Sequence, residues 1–146
     1  MTLTPQQIAD TSAEAMWRDD EACKGLGMVV QSVGPGTATL SMKVTADMTN
    51  GHGTCHGGFI FTLADSAFAY ACNSYNQRVV AGQAAITFIA PAFAADLLTA
   101  QATEVQLYGR SGIYDVRVTR QSGDVVAEFR GHSRTIEGTI LPGSKA

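Results

Sequence analysis

The feature that most constrains this chain is one long apolar segment with a single acidic residue near its middle. Across residues 57–77 the only charged side chain is that of Asp65, and most of the others are Phe, Ala, Leu or Ile. A membrane-spanning helix needs about 20 predominantly apolar residues, but an aspartate at the bilayer centre costs about 2.5–3.5 kcal/mol. A helix enclosed in a folded domain explains the same pattern at a lower free-energy cost. We therefore predict a central helix over residues 56–75 and no membrane association.

Strand signals surround this segment on both sides. Ala38, Leu40 and Met42 alternate with polar residues, which is typical of a strand with one buried face. Turn sequences such as 34–36 (Gly-Pro-Gly) and 122–124 (Ser-Gly-Asp) separate the segments. The predicted strands span residues 28–33, 37–44, 79–90, 97–108, 113–121 and 125–137.

The chain is long enough for one domain and contains no linker that suggests a second. Thr4 can cap a helix whose first residue is Pro5, so residues 1–27 are predicted to form an N-terminal helical segment. Residues 138–146 contain Pro142 and Gly143 and are predicted to be a loose tail. We predict a single α+β domain over residues 1–146, in which a curved, meander-like antiparallel sheet wraps around one long central helix. This is the arrangement of a hotdog fold.

Composition excludes several functional classes. The net charge is −3, so no basic surface for nucleic acid is expected. Charged residues make up only 16% of the chain, against roughly 25% in an average domain, which suggests that part of the surface is covered by another subunit. The three cysteines have no disulfide-framework spacing, and no signal peptide is apparent. We therefore expect a cytoplasmic protein with free thiols.

Two groups of residues between positions 50 and 65 point to chemistry. Asn50, His56, Gly57 and Gly58 surround the predicted start of the central helix. A helix N-terminus presents unpaired N–H groups, and such donors can polarise a carbonyl and stabilise an oxyanion. The alternative is that the glycines only permit a tight loop. The second group is Asp65, an ionisable side chain in apolar surroundings, which is either functional or held by a structural hydrogen bond.

The spacing of these groups predicts an oligomer. Gly57 and Asp65 are separated by eight residues, which is about 12 Å along a helix. A base or nucleophile must come within hydrogen-bond reach of its target, so one chain cannot apply both groups to one carbonyl. Two such helices running antiparallel across a two-fold axis would create two composite sites. We expect a homodimer at least.

A metal centre is a weaker possibility. His52 and His56 lie on either side of Cys55, but His132 is the only other histidine, and zinc needs three or four ligands. We therefore expect no metal and no cofactor. A nucleophilic Cys55 with a histidine partner is a further, equally weak, alternative.

The motif Asn-Gly-His-Gly-Thr-Cys-His-Gly-Gly at 50–58, followed by Leu-Ala-Asp-Ser-Ala-Phe-Ala at 63–69, closely resembles the PaaI-type thioesterases of phenylacetic acid degradation. These are hotdog-fold acyl-CoA thioesterases, and the likeness extends over most of the chain. The resemblance implies hydrolysis of aryl- or phenylacetyl-CoA thioesters, including ring-hydroxylated ones, and a dimer-of-dimers assembly. It also implies that the Gly57 N–H polarises the thioester carbonyl. Asp65 of the opposite subunit would then act as base or nucleophile, with Asn50 and His56 assisting.

One departure from the family concerns coenzyme A. Relatives often carry a basic residue where this chain has Ala90, directly before Pro91. Phosphates prefer Arg or Lys partners, so another cation must serve. Our candidates for binding the substrate are Gly58 and the turn formed by Arg110, Ser111 and Gly112. Arg130 and Arg134 are secondary candidates.

Two other functions remain compatible with the sequence. One is a hotdog hydratase or dehydratase acting on acyl thioesters, which would want a histidine close to the carboxylate. The other is a non-catalytic acyl-CoA binding module in which Asp65 is structural. The sequence does not select the acyl group: Phe59, Phe61, Phe68 and Tyr70 could line an aromatic pocket or fill the core.

Overall fold

The N-terminal helix begins at a reciprocal side-chain cap. Thr4 Oγ1 accepts a hydrogen bond from the Gln7 N–H (3.1 Å), and Gln7 Oε1 accepts one from the Thr4 N–H (2.9 Å). With Pro5 at the first helical position, this capping box fixes the start that the sequence predicts. The computed structural model describes residues 2–143, and its elements are α1 (Pro5–Arg18), α2 (Glu21–Gly25), β1 (Val29–Gly34), β2 (Thr37–Lys43), α3 (Gly57–Cys72), β3 (Val79–Phe88), β4 (Leu97–Tyr108), β5 (Ser111–Thr119) and β6 (Val125–Thr135).

The six strands form one antiparallel sheet in the order β1-β2-β4-β5-β6-β3. Consecutive strands pair as hairpins in β1–β2 and in β4–β5–β6, but β2 pairs with β4 and β6 pairs with β3, so the sheet departs from the predicted meander. The chain leaves β2, runs through α3 and returns at the opposite edge as β3. This crossing lays α3 over the sheet, and β1 and β3 are the two edge strands.

The core lies between the sheet and one face of α3. Leu63, Ala64 and Phe68 are fully enclosed there, together with Val116 and Phe129 of the sheet. Small side chains on the strands leave room for the helix. A β-carbon on Gly131 would lie 2.8 Å from the Phe68 ring, so this strand position requires glycine.

Several element ends differ from the sequence prediction for local reasons. Helix α3 ends at Cys72, before the predicted residue 75, because the Asn73 side chain bonds both backbone groups of Val79 (2.9 and 3.1 Å). Strand β3 ends at Phe88, before the predicted residue 90, because the N–H groups of Ile89 and Ala90 both donate to the carbonyl of Val126. The other strand ends lie within two residues of their predicted positions.

The C-terminal segment is joined to the body of the protein by two hydrogen bonds that backbone N–H groups donate. The Leu141 N–H donates to Asn76 Oδ1 (2.8 Å), and the Arg78 N–H donates to the Gly138 carbonyl (3.3 Å). Residues 144–146 of the predicted loose tail lie outside the described residues. Within residues 2–143, no helix has the length and hydropathy needed to cross a membrane.

The sheet does not cover the whole circumference of α3. Gly58 is exposed, and Thr62, Asp65, Ser66 and Ala69 are half-buried. With 3.6 residues per turn, these five positions share one side of the helix. We call this strip the open face of α3.

Candidate active site

The Gly57 N–H, in the first turn of α3, is left without a partner among the described residues by the cap of the helix. His56 is the N-cap residue, and its Nδ1 accepts a hydrogen bond from the Gly58 N–H at 3.0 Å. The His56 carbonyl accepts from the Phe59 N–H at 3.0 Å. The Gly57 N–H has no acceptor among residues 2–143. The cap therefore occupies the neighbouring donors and leaves the Gly57 donor available to a ligand.

The loop before α3 is held together by Asn50. Its Oδ1 accepts from the N–H groups of His52 (2.9 Å) and Thr54 (3.3 Å) and from the Thr54 hydroxyl (3.2 Å). Its Nδ2 group donates to none of the described residues. Asn50 thus fixes the loop with its oxygen and retains an amide donor beside the helix start.

Gly57 is in close contact with an aromatic ring. A β-carbon at this position would lie 2.8 Å from Cζ of Phe88, the last residue of β3. The absence of a β-carbon at Gly57 lets the ring approach the helix this closely, and an added β-carbon would shift the exposed end of the Phe88 side chain. From the sequence, residues 88–91 were predicted to end a strand and to be the place where relatives carry a basic residue, without a role for Phe88. A large apolar side chain at the end of a strand was the available signal.

The Asp65 carboxyl lies on the open face of α3 and is half-buried. Burial raises its pKa, and no cation or hydrogen-bond donor among the described residues opposes that shift. The raised pKa means that the carboxylate is a stronger base than an ordinary aspartate. A carboxyl with a raised pKa in apolar surroundings is typical of a general base or nucleophile.

A second contact borders the open face. The Cys23 thiol of α2 lies 3.3 Å from the Ser66 hydroxyl, and the Ser66 hydroxyl donates to the Thr62 carbonyl (2.7 Å). Asp20 fixes the start of α2 by accepting hydrogen bonds from the Cys23 N–H (3.1 Å) and the Tyr70 hydroxyl (2.9 Å). Helix α2 therefore covers α3 on the side of Ser66 and leaves Asp65 accessible.

Gly57 and Asp65 do not converge within the chain. They lie eight residues apart on one continuous helix, which separates them by about 12 Å. The structure thus gathers Asn50, His56, Gly57 and Gly58 at the N-terminal end of α3, with Asp65 at its middle.

The three turn candidates lie near the other end of α3. Arg110 is exposed in the turn between β4 and β5, and its carbonyl accepts from the Thr135 N–H (2.7 Å). Ser111 lines a cavity of about 60 Å³ that Cys72, at the C-terminus of α3, also lines. Gly112 is buried, and a β-carbon there would lie 2.7 Å from the Ser133 hydroxyl. Gly112 thus has a packing role that its sequence context did not reveal.

The two secondary candidates for binding phosphate, Arg130 and Arg134, differ in whether a carboxylate already pairs with them. Arg130 forms a bidentate ion pair with Asp115 (2.6 and 2.9 Å), which lowers the pKa of the Asp115 carboxyl. Arg134 has no carboxylate partner among the described residues, and its Nη1 lies 3.4 Å from the Ser111 hydroxyl. Arg110 and Arg134 therefore remain as cations open to an anion.

The alternatives to carboxylate chemistry gain no structural support. Across residues 2–143 no group of three His, Cys, Asp or Glu side chains is arranged to hold a metal ion. Cys55 is buried, and burial raises the pKa of its thiol, which disfavours the thiolate. The nearest histidine, His56, has its Nδ1 engaged with the Gly58 N–H.

The four aromatic candidates on α3 have different environments. Phe68 and Tyr70 are buried in the core. Phe61 is half-buried and packs edge-to-face on Phe129, with ring centroids 5.4 Å apart. Phe59 is half-buried and contacts the His56 ring at 6.3 Å between centroids. Only Phe59 and Phe61 are thus accessible to a ligand.

Comparison with known proteins agrees with this geometry. Residues 52–127 match the family model described as the thioesterase superfamily. The acyl-coenzyme A thioesterase PaaI of Escherichia coli is 46% identical over 129 residues, which cover 88% of this chain and 92% of the relative.

Two solved structures have the same fold. The E. coli PaaI protein of the phenylacetic acid degradation operon superposes with a TM-score of 0.92 at 44% identity, covering 93% of this chain and 99% of that one. A variant of the phenylacetic acid degradation protein PaaI of Thermus thermophilus gives 0.77 at 38% identity, covering 80% of this chain and all (100%) of that one. The expected hotdog fold and the PaaI-type resemblance are confirmed. The chain belongs to the thioesterase superfamily, and it is a thioester hydrolase of the PaaI type.

Proposed function

We propose that this protein hydrolyses the coenzyme A thioesters of aryl and arylacetic acids, including ring-hydroxylated phenylacetic acids, to the free acid and coenzyme A. The observation that carries the proposal is an unpaired Gly57 N–H and a half-buried Asp65 carboxyl on one helix of a thioesterase-family chain. The similarity to a relative named acyl-coenzyme A thioesterase PaaI supports the acyl-CoA substrate. The name of the phenylacetic acid degradation operon supports the aryl acyl group. The three buried free thiols fit the cytoplasm as the place of reaction.

In this reaction the Gly57 N–H donates to the thioester carbonyl and stabilises the developing oxyanion. Asp65 either removes a proton from the attacking water or attacks the carbonyl itself. In both cases a C–O bond forms and the C–S bond breaks. The departing thiolate takes up a proton to become the coenzyme A thiol. If Asp65 has attacked directly, a water molecule then hydrolyses the mixed anhydride, which releases the free acid and restores the Asp65 carboxylate.

Asn50 and His56 act as positioning residues. The free Nδ2 group of Asn50 is available to a water or to the acyl oxygen. His56 holds the Gly58 N–H at 3.0 Å, so its imidazole orients the first turn of α3 and thereby the Gly57 donor. Gly58 contributes to the close approach of the substrate rather than a hydrogen bond.

The site is completed by a second copy of the chain. For Gly57 to meet Asp65 of the partner subunit, two antiparallel α3 helices must cross near residue 61, midway between them. The open face of α3 consists of small side chains around Asp65, which permits close helix packing. Among residues 2–143 no strand pairs with the outer edge of β3, and Val80 and Ile89 at and beyond this strand are exposed. These surfaces support a homodimer, and the family resemblance supports a homotetramer built from two dimers.

The same geometry supports a role for the β4–β5 turn in coenzyme A binding. Cys72 lies seven residues beyond Asp65, about 10 Å along α3, and the cavity beside Cys72 is lined by Gly109 and Ser111 of the turn. The thioester group reacts at Asp65, so the phosphates of coenzyme A must lie at a distance from Asp65. Arg110 and Arg134 are available cations at that end of the helix.

A hydrolysis assay with a panel of acyl-CoA substrates tests the proposal directly. We expect kcat/KM to be highest for phenylacetyl- and hydroxyphenylacetyl-CoA, with benzoyl-CoA next and short- and long-chain aliphatic thioesters lower. Release of free thiol measures the rate. A protein whose kcat/KM is highest for a long-chain aliphatic thioester would contradict the aryl assignment and leave thioester hydrolysis intact.

Asp65→Asn should lower kcat by orders of magnitude, because the amide is neither a base nor a nucleophile. In the wild type, kcat should fall as pH is lowered through the raised pKa of Asp65, at a pH above the usual aspartate range. The variant should lack this acid limb. A folded-state pKa raised above the unfolded value costs stability once pH exceeds it, so the Tm of Asp65→Asn at neutral pH should not fall below that of the wild type. A variant that retains kcat would show that Asp65 is structural.

Mixed dimers test the composite site. Gly57→Pro removes the donor, and proline suits the first helical position after the extended backbone of His56 (φ −60°, ψ 133°). Gly57→Pro and Asp65→Asn should each be inactive alone. Refolding the two variants together in equal amounts should restore about a quarter of wild-type activity. Half of the dimers are then mixed, and each mixed dimer has one of its two sites intact.

Gly57→Ala controls for crowding of Phe88, since it adds a β-carbon but retains the N–H. Its activity should exceed that of Gly57→Pro. A site built within one chain would give no recovery on mixing the two inactive variants.

Arg110→Ala should raise KM for an acyl-CoA with little change in kcat, because the phosphates lie far from the reacting carbonyl. The same substrate shortened to the acyl-pantetheine should show no difference between the variant and the wild type. Arg117→Ala is the matched control, since that arginine is exposed and already paired with Glu128 (2.6 Å). An unaltered KM in Arg110→Ala would remove this residue from the binding site.

A further inference from the structure

An aromatic side chain packs against Gly57, the residue that carries the proposed oxyanion donor. The Cζ, Cε1 and Cε2 atoms of Phe88 lie 2.8, 3.1 and 3.4 Å from the position that a β-carbon on Gly57 would occupy. The contact involves the edge of the ring farthest from the backbone. Phe88 nevertheless remains 52% exposed. A large part of its surface is therefore free to contact another group beside the Gly57 N–H.

The backbone that carries Phe88 is fixed. Phe88 is the last residue of β3, where it pairs with Ala127 of β6. The next two N–H groups, of Ile89 and Ala90, both donate to the Val126 carbonyl (2.8 and 3.2 Å). The ring is thus positioned by the sheet rather than by a loop.

The surroundings of the ring are apolar. Ile86 precedes Phe88 by two residues, shares its face of the strand and is half-buried against the core. Phe61, one helical turn after Gly57, is half-buried on the same side of α3 as Gly57 and packs on Phe129. An acyl group whose carbonyl accepts from the Gly57 N–H must lie close to this apolar surface.

We infer that Phe88 is a specificity-determining residue that forms the wall of the acyl pocket next to the reacting carbonyl and selects flat aromatic acyl groups. This inference rests on the proposed function, because it takes the Gly57 N–H as the carbonyl donor. A phenyl ring offers an aryl group an offset or edge-to-face partner, which a flexible alkyl chain cannot use in the same way. The absent side chain at Gly57 lets the ring lie next to the residue that carries the donor.

Phe88→Leu tests this, because leucine keeps an apolar side chain and removes the aromatic face. The measured quantity is the ratio of kcat/KM for phenylacetyl-CoA to that for hexanoyl-CoA. We expect the ratio to fall about two- to tenfold in Phe88→Leu and to be retained in Phe88→Tyr. Because each ratio is taken within one protein, a general loss of activity cancels.

Phe93→Leu is the matched control. Phe93 is also an exposed phenylalanine after β3 (41%), but its ring lies 5.5 Å from the guanidinium carbon of Arg120. The ratio of kcat/KM for phenylacetyl-CoA to that for hexanoyl-CoA should be the same in Phe93→Leu as in the wild type. A ratio unchanged in Phe88→Leu, or lowered equally in Phe93→Leu, would overturn the inference.

Native mass and Tm are measured for each variant. If Phe88→Leu alters the oligomeric state, the Gly57→Ala variant is used in its place. The β-carbon added at Gly57 displaces the Phe88 ring, while the phenylalanine stays in the chain. The same fall in ratio is then expected, and an unchanged ratio overturns the inference. A wild type that does not hydrolyse phenylacetyl-CoA would refute the proposed function itself, and it is therefore a distinguishable outcome.

Discussion

The rest of the structure depends on the fact that one sheet cannot enclose a whole helix. The side of α3 that carries Leu63, Ala64 and Phe68 is sealed against the strands, whereas the side that carries Asp65 is left open. The sealed side supplies the apolar burial that stabilises the fold. The open side allows a carboxyl to exist in partly desolvated surroundings with a raised pKa, without the full cost of burying a charge. Stability and reactivity are thus divided between two sides of the same helix.

The hydrogen bonds in the first turn of α3 are divided in a similar way between the fold and a ligand. A helix begins with donors that have no partner within the helix, and each must find one elsewhere. Here His56 satisfies the Gly58 N–H with its side chain and the Phe59 N–H with its carbonyl. The Gly57 N–H is left as the donor for a ligand. A residue that looks like a catalytic histidine in the motif therefore acts on the helix geometry.

Local patterns predicted the elements well and their assembly less well. The strand predicted over residues 97–108 is observed as β4 (Leu97–Tyr108), because turn sequences bound it on both sides. The position of β3 beyond β6 was not predictable, since strand pairing joins residues distant in sequence. For the same reason the pairing of Arg130 with Asp115 across β5 and β6 was hidden, and so was the packing role of Gly112.

The sequence by itself determined the residues of the proposed site: an aspartate in an apolar helix, glycines at the start of that helix, and a spacing of eight residues that no helix can close. These are properties of neighbouring residues and of fixed backbone geometry. Only the tertiary structure decided that Phe88 lies over Gly57, that Arg110 lies at the far end of α3, and that one face of the helix stays uncovered. Such contacts are set by the path of the chain across the sheet, and no local pattern of residues encodes that path.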